Sequence, residues 1–483
     1  MLAIVTKFLL IALCFYRCSA SNVKLSSARY YPRYHLAPPY GWMNDPNGFC
    51  EFKNEYHLFY QYNPESAEEP GIAHWGHAKS SDLFHWEHMP IALYPDQSFD
   101  KTGVFSGSAL IENNTMYLFY TGNVNFPNQY PEREQRQAMA ISTDGVHIQK
   151  YEGNPILKGD DRQPHIRDPK VWKHGHTYYM VLGNSLNNHT VGRVLLYTSK
   201  DLTSWTEASI LGESDGSMGY MWECPDFFEL GGKWVLLFSP QGLEPRGDKY
   251  KNLYQTGYIV GDFDYKSNLF TPLTEFVELD HGHDFYATQT LLDHRGKRVV
   301  VAWFDMWENE YPEQKDGFTG QITLPRYLYL TRDNRLIQKP VRQISNIRGK
   351  KLYSGKAKAN NTVKLDDNAA EIRVVSAKLR NFELLIESNN TVSISYDYRK
   401  GKVTLDRGGE DAIRRTNWRP SGKLYWQIFI DASSIEVFCG DGEITFSSRF
   451  FPTGIVTIRV GEDSQADDLT VFQLKRSVVV PEQ

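Results

Sequence analysis

Three acidic residues stand out by their neighbours: Asp45 in "WMNDPNG", Asp168 in "IRDP" and Glu223 in "MWECPDFF". Pro and Gly mark turns, and a residue before Pro is pushed out of the helical region, so each motif read alone is a bend. Taken together they are a set of carboxyl groups. Two carboxyls flanking a scissile bond are the apparatus of glycoside hydrolysis, one acting as nucleophile or base and the other as proton donor. Local context distributes the roles. Glu223 lies beside Trp222, Cys224 and Pro225, an apolar setting expected to disfavour the ionised form and to suit a general acid. Asp45, among Asn44, Asn47 and turn amides, and Asp168, next to Arg167, are expected to be the anions.

Something must bring together residues so far apart in the chain, and a repeat does so. Paired apolar segments with a polar turn between them recur as "NGFCEFKNEYHLFYQYN", "SGSALIENNTMYLFYTGN", "PKVWKHGHTYYMVLGN", "PDFFELGGKWVLLFSP" and "ATQTLLDHRGKRVVVAWF". Each is a hairpin, with turns such as Lys53-Asn54, Asn113-Asn114 and Gly231-Gly232. Leu58 and Leu118, and again Asn123 and Asn184, lie about 60 positions apart. A second phrase follows the first three hairpins: "SSDLFHWE", "STDGVHIQ" and "TSKDLTSW". Five such units of about four strands each predict a propeller. A long twisted sandwich is the alternative. Just before the first strand of each hairpin the five copies present Asp45, Ser106, Asp168, Glu223 and Tyr286. In a propeller, equivalent positions face one central channel at the same end, so the three acids are expected to converge. A purely structural protein gains little from crowding like charges around one axis.

The repeat fades near Leu330. Polar residues follow, and then alternating segments such as "TVSISYDY" and "YWQIFIDASSIEVFCGDGE" predict an antiparallel β-sandwich. The reading is all-β: a signal peptide over 1–20, a five-bladed β-propeller over 21–335, a linker over 336–350 and a β-sandwich over 351–483. A chain of 483 residues supports two domains. Its aromatic content of 14%, with 36 Gly and 23 Pro, favours short strands and turns over long helices.

A net charge of −5 without long runs of one sign gives no purchase on nucleic acid or an anionic membrane. The N-terminal run "MLAIVTKFLLIALCFYRCSA" has the form of a secretory leader cut after Ala20, and no later stretch could span a bilayer. Sequons start at Asn113, Asn188, Asn360 and Asn389, so a secreted glycoprotein is expected. Beyond the leader, Cys50, Cys224 and Cys439 are widely spaced and are not read as a disulfide framework. His74 and His77, and the two "HGH" triplets, lack a convergent third ligand, so no metal is expected. For Trp42, Trp75, Trp222, Trp303 and Trp307 both a core role and a sugar platform stay open.

The blocks "WMNDPNG", "FSGSA", "RDP", "WECP", "FYATQT", "TLPR" and "DASSIEVFCGDGE" resemble, in that order, the signatures of glycoside hydrolase family 32, the invertases and related β-fructofuranosidases. The resemblance runs from about Tyr34 to the C-terminus. The compact layout is similar to the bacterial-type branch, while the leader and sequons fit a secreted animal version such as an insect digestive sucrase. The resemblance implies a propeller followed by a sandwich, and hydrolysis of sucrose or a related β-fructoside with retention and no cofactor. It implies Asp45 as nucleophile, Glu223 as acid and then base, and Asp168 as stabiliser of the transition state. Asn44, Gln61, Phe105, Ser106 and Arg167 match its sugar-binding positions, with Trp75 a further member. Several relatives carry a Trp six residues before "WGH"; here that position is Glu69, which leaves preference beyond the fructosyl unit open. Sucrose-6-phosphate hydrolysis, fructan hydrolysis and fructosyl transfer are the enzymatic alternatives, and a fructoside-binding lectin is the non-catalytic one. The oligomeric state is not read from the sequence.

Overall fold

The computed structural model describes residues 28–159, 163–186 and 189–478. The expected leader and the sequon at Asn188 lie outside the described residues. Five antiparallel sheets occupy 41–93, 104–150, 166–213, 221–278 and 286–340 in chain order. Their first strands are Gly41–Phe52, Val104–Glu112, Ile166–His174, Met221–Leu230 and Tyr286–Leu292. Each first strand packs against those of the sheets before and after it, and the fifth packs against the first. These are the blades of a five-bladed propeller, with the first strands lining its axis.

The hairpin turns form as the dipeptides demand. Lys53 and Asn54 have φ of 52° and 65°, Asn113 and Asn114 of 49° and 57°, and Gly231 and Gly232 of 63° and 81°. Two consecutive positive φ values give the turn whose twist matches the flanking strands. The ring is closed by Phe318–Thr319, which pairs in parallel with Gly41–Trp42 at the inner edge of the first blade.

Leu336–Pro340 is the outer strand of the fifth blade, paired with Arg326–Leu330, and Arg348–Ala357 already belongs to the second domain. The connection is therefore 341–347, with a short 3-10 turn at Arg342–Ile347, rather than the expected linker over 336–350. An outermost strand that turns Lys339 towards water and ends in Pro340 looks like a linker in sequence.

The second domain is two six-stranded sheets packed as a sandwich. Its strands alternate as a half-buried sheet requires; in Thr391–Asp397, Val392, Ile394 and Tyr396 are buried and the intervening residues are not. Trp426, Ile372, Ile394 and Val437 lie in its core with no exposure, and each such aliphatic side chain contributes about 1.5–3 kcal/mol relative to being exposed.

The two domains share buried charge. Arg326 of the fifth blade is ion-paired with Asp280 beside it and with Glu436 of the sandwich, all three within 1% of full burial. The strand-free segment ahead of the first blade enters this seam: His35 lies between Asp431 and Glu436, 2.8 Å from each.

Candidate active site

The five positions singled out by the repeat coincide with an irregularity common to all five inner strands. Met43 and Pro46 pair with Tyr62 and Tyr60, three residues of the inner strand against two of its neighbour. The same extra residue appears between Arg167 and Lys170, between Glu223 and Asp226, and between Tyr286 and Gln289. In the second blade it falls between Phe105 and Gly107. A bulge re-aims side chains and ends regular pairing. Pro46, Pro169 and Pro225 sit at these bulges, where the missing N–H costs no ladder bond. "WMNDPNG" and "IRDP" are therefore bulged strands and not the turns their composition suggests. Asp168, Cys224 and Ala287 adopt φ of 67°, 46° and 51°, a conformation that costs a non-glycine residue of order 1–3 kcal/mol and tends to mark functional sites.

The bulges bring Asp45, Asp168 and Glu223 into one hydrogen-bonded group. Oδ2 of Asp45 accepts from Ser106 Oγ at 2.6 Å, from Gln61 Nε2 at 3.4 Å and from Cys224 Sγ at 3.5 Å. Its Oδ1 accepts from Asn44 Nδ2 at 3.3 Å. Cys224 also donates its backbone N–H to Oδ2 of Asp168 at 2.9 Å, so one residue bridges the two aspartates. The N–H of Asp168 is taken up by Thr121 Oγ1 at 3.0 Å, which anchors its left-handed backbone.

Glu223 does not sit in the expected apolar setting. Arg167 Nε and Nη2 donate to its Oε1 at 2.9 and 2.7 Å, and Tyr286 Oη and Gln241 Nε2 donate to its Oε2 at 2.6 and 3.0 Å. Neighbours on a strand point to opposite faces, so Trp222 packs into the blade, stacked on Phe238, and leaves Glu223 among polar groups. Arg167 pairs with Glu223 rather than with the adjacent Asp168.

The electrostatics differ accordingly from the assignment made on local context. Burial pushes Asp45 up to about 6, with the charge of Glu223 adding to the effect and hydrogen bonds from Ser106, Asn44 and Cys224 opposing it. Asp168 is raised as well, by burial and by Glu223, against the pull of Arg167. The two aspartates are thus not firmly ionised: like charges so close cannot all be carried at once. Burial works against the charge of Arg167, yet Glu223 and Asp168 hold its guanidinium above the ordinary range. Burial and the charge of Glu223 push the Tyr286 phenol up, so it keeps its proton.

Asn44, Gln61, Ser106 and Arg167 are in contact with the acids, and Phe105 is half-buried beside Ser106. Trp75 is not at the surface of the site. It is fully buried between Phe59 and Tyr120 and donates its indole N–H to the Phe105 carbonyl at 3.0 Å, so it fixes Phe105 from beneath. Sequence reasoning passed over Gln241 and the thiol of Cys224, and noted Tyr286 only as a repeat position. For Tyr286 that position was the available signal; Gln241 has none, since its role depends on the pairing of Met221–Leu230 with Lys233–Gln241. Further down the channel, Lys170 and Asp226 form a buried ion pair at 3.0 Å. Cys50, Cys224 and Cys439 are buried free thiols.

Residues 35–340 match the family model described as "Glycosyl hydrolases family 32 N-terminal domain", and residues 337–476 match "Glycosyl hydrolases family 32 C terminal". A solved Bombyx mori GH32 beta-fructofuranosidase is similar with a TM-score of 0.88 and 44% identity, over 93% of this chain and 95% of that one. A mutant of that silkworm enzyme in complex with sucrose is similar with a TM-score of 0.87 and 45% identity, over the same 93% and 95%. A sucrose-6-phosphate hydrolase of Zymomonas mobilis is 42% identical over 464 residues, 89% of this chain and 88% of the relative.

Proposed function

The chain belongs to glycoside hydrolase family 32 and is a fructoside hydrolase of the β-fructofuranosidase type, and from that premise we propose that it hydrolyses sucrose to glucose and fructose with retention of configuration. The observation that carries this reading is the three-acid group on the propeller axis, with Asp45 and Glu223 on different blades.

In this mechanism Asp45 attacks the anomeric carbon of the fructosyl unit. Three donors converge on its Oδ2, which leaves Oδ1, held by Asn44 alone, as the freer oxygen for bond formation. Glu223 gives a proton to the departing glucosyl oxygen and then takes one from the water that releases fructose. A hydroxyl is both donor and acceptor, so Tyr286 accommodates either state of Glu223 by turning. Asp168 binds fructose hydroxyls, its carboxylate oxygens accepting hydrogen bonds that strengthen as positive charge develops on the ring. Asp45 supplies the nucleophile, and Glu223 supplies the proton for the leaving group and recovers it from water.

Sucrose 6-phosphate is the second reading. It is favoured by the names of relatives at about 40% identity and by Arg133, whose charge is felt by Arg167 and Glu223 and whose buried Nε has no hydrogen-bond partner. Secretion favours sucrose over its phosphate, which is an intracellular sugar. The leader over 1–20 supports secretion, as do exposed sequon residues Asn113, Asn360 and Asn389. Initial rates on sucrose, sucrose 6-phosphate, raffinose and inulin, measured side by side, decide among the substrates. Sucrose fastest is expected; strong preference for the phosphate, lost in Arg133→Ala, would replace sucrose by the second reading. Methanol added as acceptor should yield the methyl β-fructoside, and the α-anomer would rule out retention.

A further inference from the structure

Between the strand Arg298–Trp303 and the closing strand Phe318–Thr319 runs a loop, 304–317, that reaches both the active site and the second domain. On the active-site side, Met306 and Trp307 join Trp42, Trp303, Cys224 and Tyr286 in one cluster. Trp307 stacks on Trp42 with ring centroids 6.3 Å apart and planes at 23°, and meets Trp303 edge-on at 4.9 Å. Trp42 donates its indole N–H to Oδ1 of Asn44 at 3.1 Å, and Asn44 donates to Asp45. The loop thus packs against the wall of the site beside Asn44 and Asp45.

The other side of the loop carries two carboxylates, Asp305 and Glu313, neither with any exposure. Their counter-ion comes from the sandwich. Arg449 pairs through Nη1 with Asp305 and through Nη2 with Glu313, and is itself fully buried. Its Nε donates to the Ser433 carbonyl at 3.0 Å, and its backbone N–H donates to Oδ2 of Asp284 at 2.7 Å. Oδ1 of Asp284 accepts from Tyr311 Oη at 2.9 Å, and that oxygen accepts the N–H of Met306 at 3.0 Å. A buried ion triad is a weak source of stability, because well-packed apolar residues of similar volume often do as well or better. A planar five-donor fork facing two carboxylates does, however, define position closely.

We propose that Arg449 is a positioning residue for the hydrolysis: the sandwich, through this side chain, sets the loop that holds Trp307 against Trp42, and thereby the substrate-binding wall next to Asp45. This rests on the reading of the propeller site as a fructoside-cleaving centre. It assigns the second domain a part in substrate recognition in addition to bracing the propeller.

The test is a double-mutant cycle between Arg449→Lys and Trp307→Ala in the full chain. Each single variant should raise KM for the substrate about fivefold with kcat within about twofold, the pattern of lost ground-state binding. The double variant should bind about as weakly as Trp307→Ala alone, because both changes remove one contact. A folded Arg449→Lys enzyme with unchanged KM, or KM effects that multiply in the double variant, overturns the proposal. If Arg449→Lys does not fold, Tyr311→Phe keeps every ion pair and cuts the link between Met306 and Asp284. It should raise KM about threefold, and an unchanged KM overturns the proposal equally. Wild type is assayed on sucrose and inulin alongside: indifference to sucrose refutes the substrate, and the cycle is then read on the fructoside that is cleaved.

Discussion

Arg167 grips Glu223 through a single carboxylate oxygen, with Nε and Nη2 at 2.9 and 2.7 Å from Oε1. Among the described residues Arg167 is the cation bonded to these acids, and its bonds to them go to Glu223. Asp45 and Asp168 are left to bear the cost of burial beside a negative charge, and the behaviour of the site with pH follows.

Asp45 ionises at about 6 in the folded protein and near 3.9 when unfolded. Between these values the native state holds a proton that the unfolded state has released, so this residue's effect on stability worsens as pH rises from about 4 through 6. By pH 7 the full penalty is present, on the order of 3 kcal/mol for a shift of about two units. Asp45→Asn removes it. Denaturant titrations should show the variant more stable than wild type at pH 7, with the gap closing towards pH 4. A gap that widens on acidification would contradict the assignment.

Activity should move the opposite way. Asp45→Asn loses the nucleophile and Glu223→Gln the proton donor, and each should cost about 10³-fold or more in kcat with the fold intact. In kcat/KM, which reports the first step alone, the loss in Glu223→Gln should be much smaller on a β-fructoside whose leaving group departs without protonation. Equal losses on both substrates would remove Glu223 from the acid role.

Cys224 lends its thiol to Asp45, and that bond lowers the carboxyl's pKa against the effect of burial. In Cys224→Ala the acidic limb of kcat/KM, governed by ionisation of Asp45, should shift to higher pH. Cys224→Ser should bring it back. An unmoved limb in the alanine variant means that the thiol bond does not tune the nucleophile.

Arg326 holds Asp280 and Glu436 across the domain seam with all three groups buried. Arg326→Met leaves buried Asp280 without its counter-ion and Glu436 with His35, and should destabilise the protein by about 3–5 kcal/mol. Calorimetry that returns a wild-type transition would show the seam to be indifferent to this charge.

The blades were legible because each hairpin carries its own signals: paired apolar runs and a turn dipeptide such as Gly231-Gly232. Asp45, Asp168 and Glu223 were legible because the repeat aligns them, and the geometry of a propeller makes aligned positions neighbours. The bulges were not, since a left-handed Asp168 or Cys224 has no compositional mark comparable to glycine. The surroundings of Glu223 were misread because sequence neighbours on a strand face away from one another, while its true partners Arg167, Gln241 and Tyr286 come from three separate strands. Trp75 was placed one layer too high, because "HWGH" shows that an indole is present and not which face of the strand it takes. The charges in the domain seam were equally hidden: His35, Arg326 and Glu436 are ordinary residues until the fold buries them together.

Ring closure at Phe318–Thr319 also has a temporal meaning. The strand bearing Asp45 leaves the ribosome early, yet its inner edge stays unpaired until the fifth blade exists to cover Gly41 and Trp42. Such a long-range pairing is among the slowest contacts for a chain to make. Catalytic competence therefore cannot precede synthesis of the closing strand, and a chain cut before Phe318 carries the nucleophile without the finished ring.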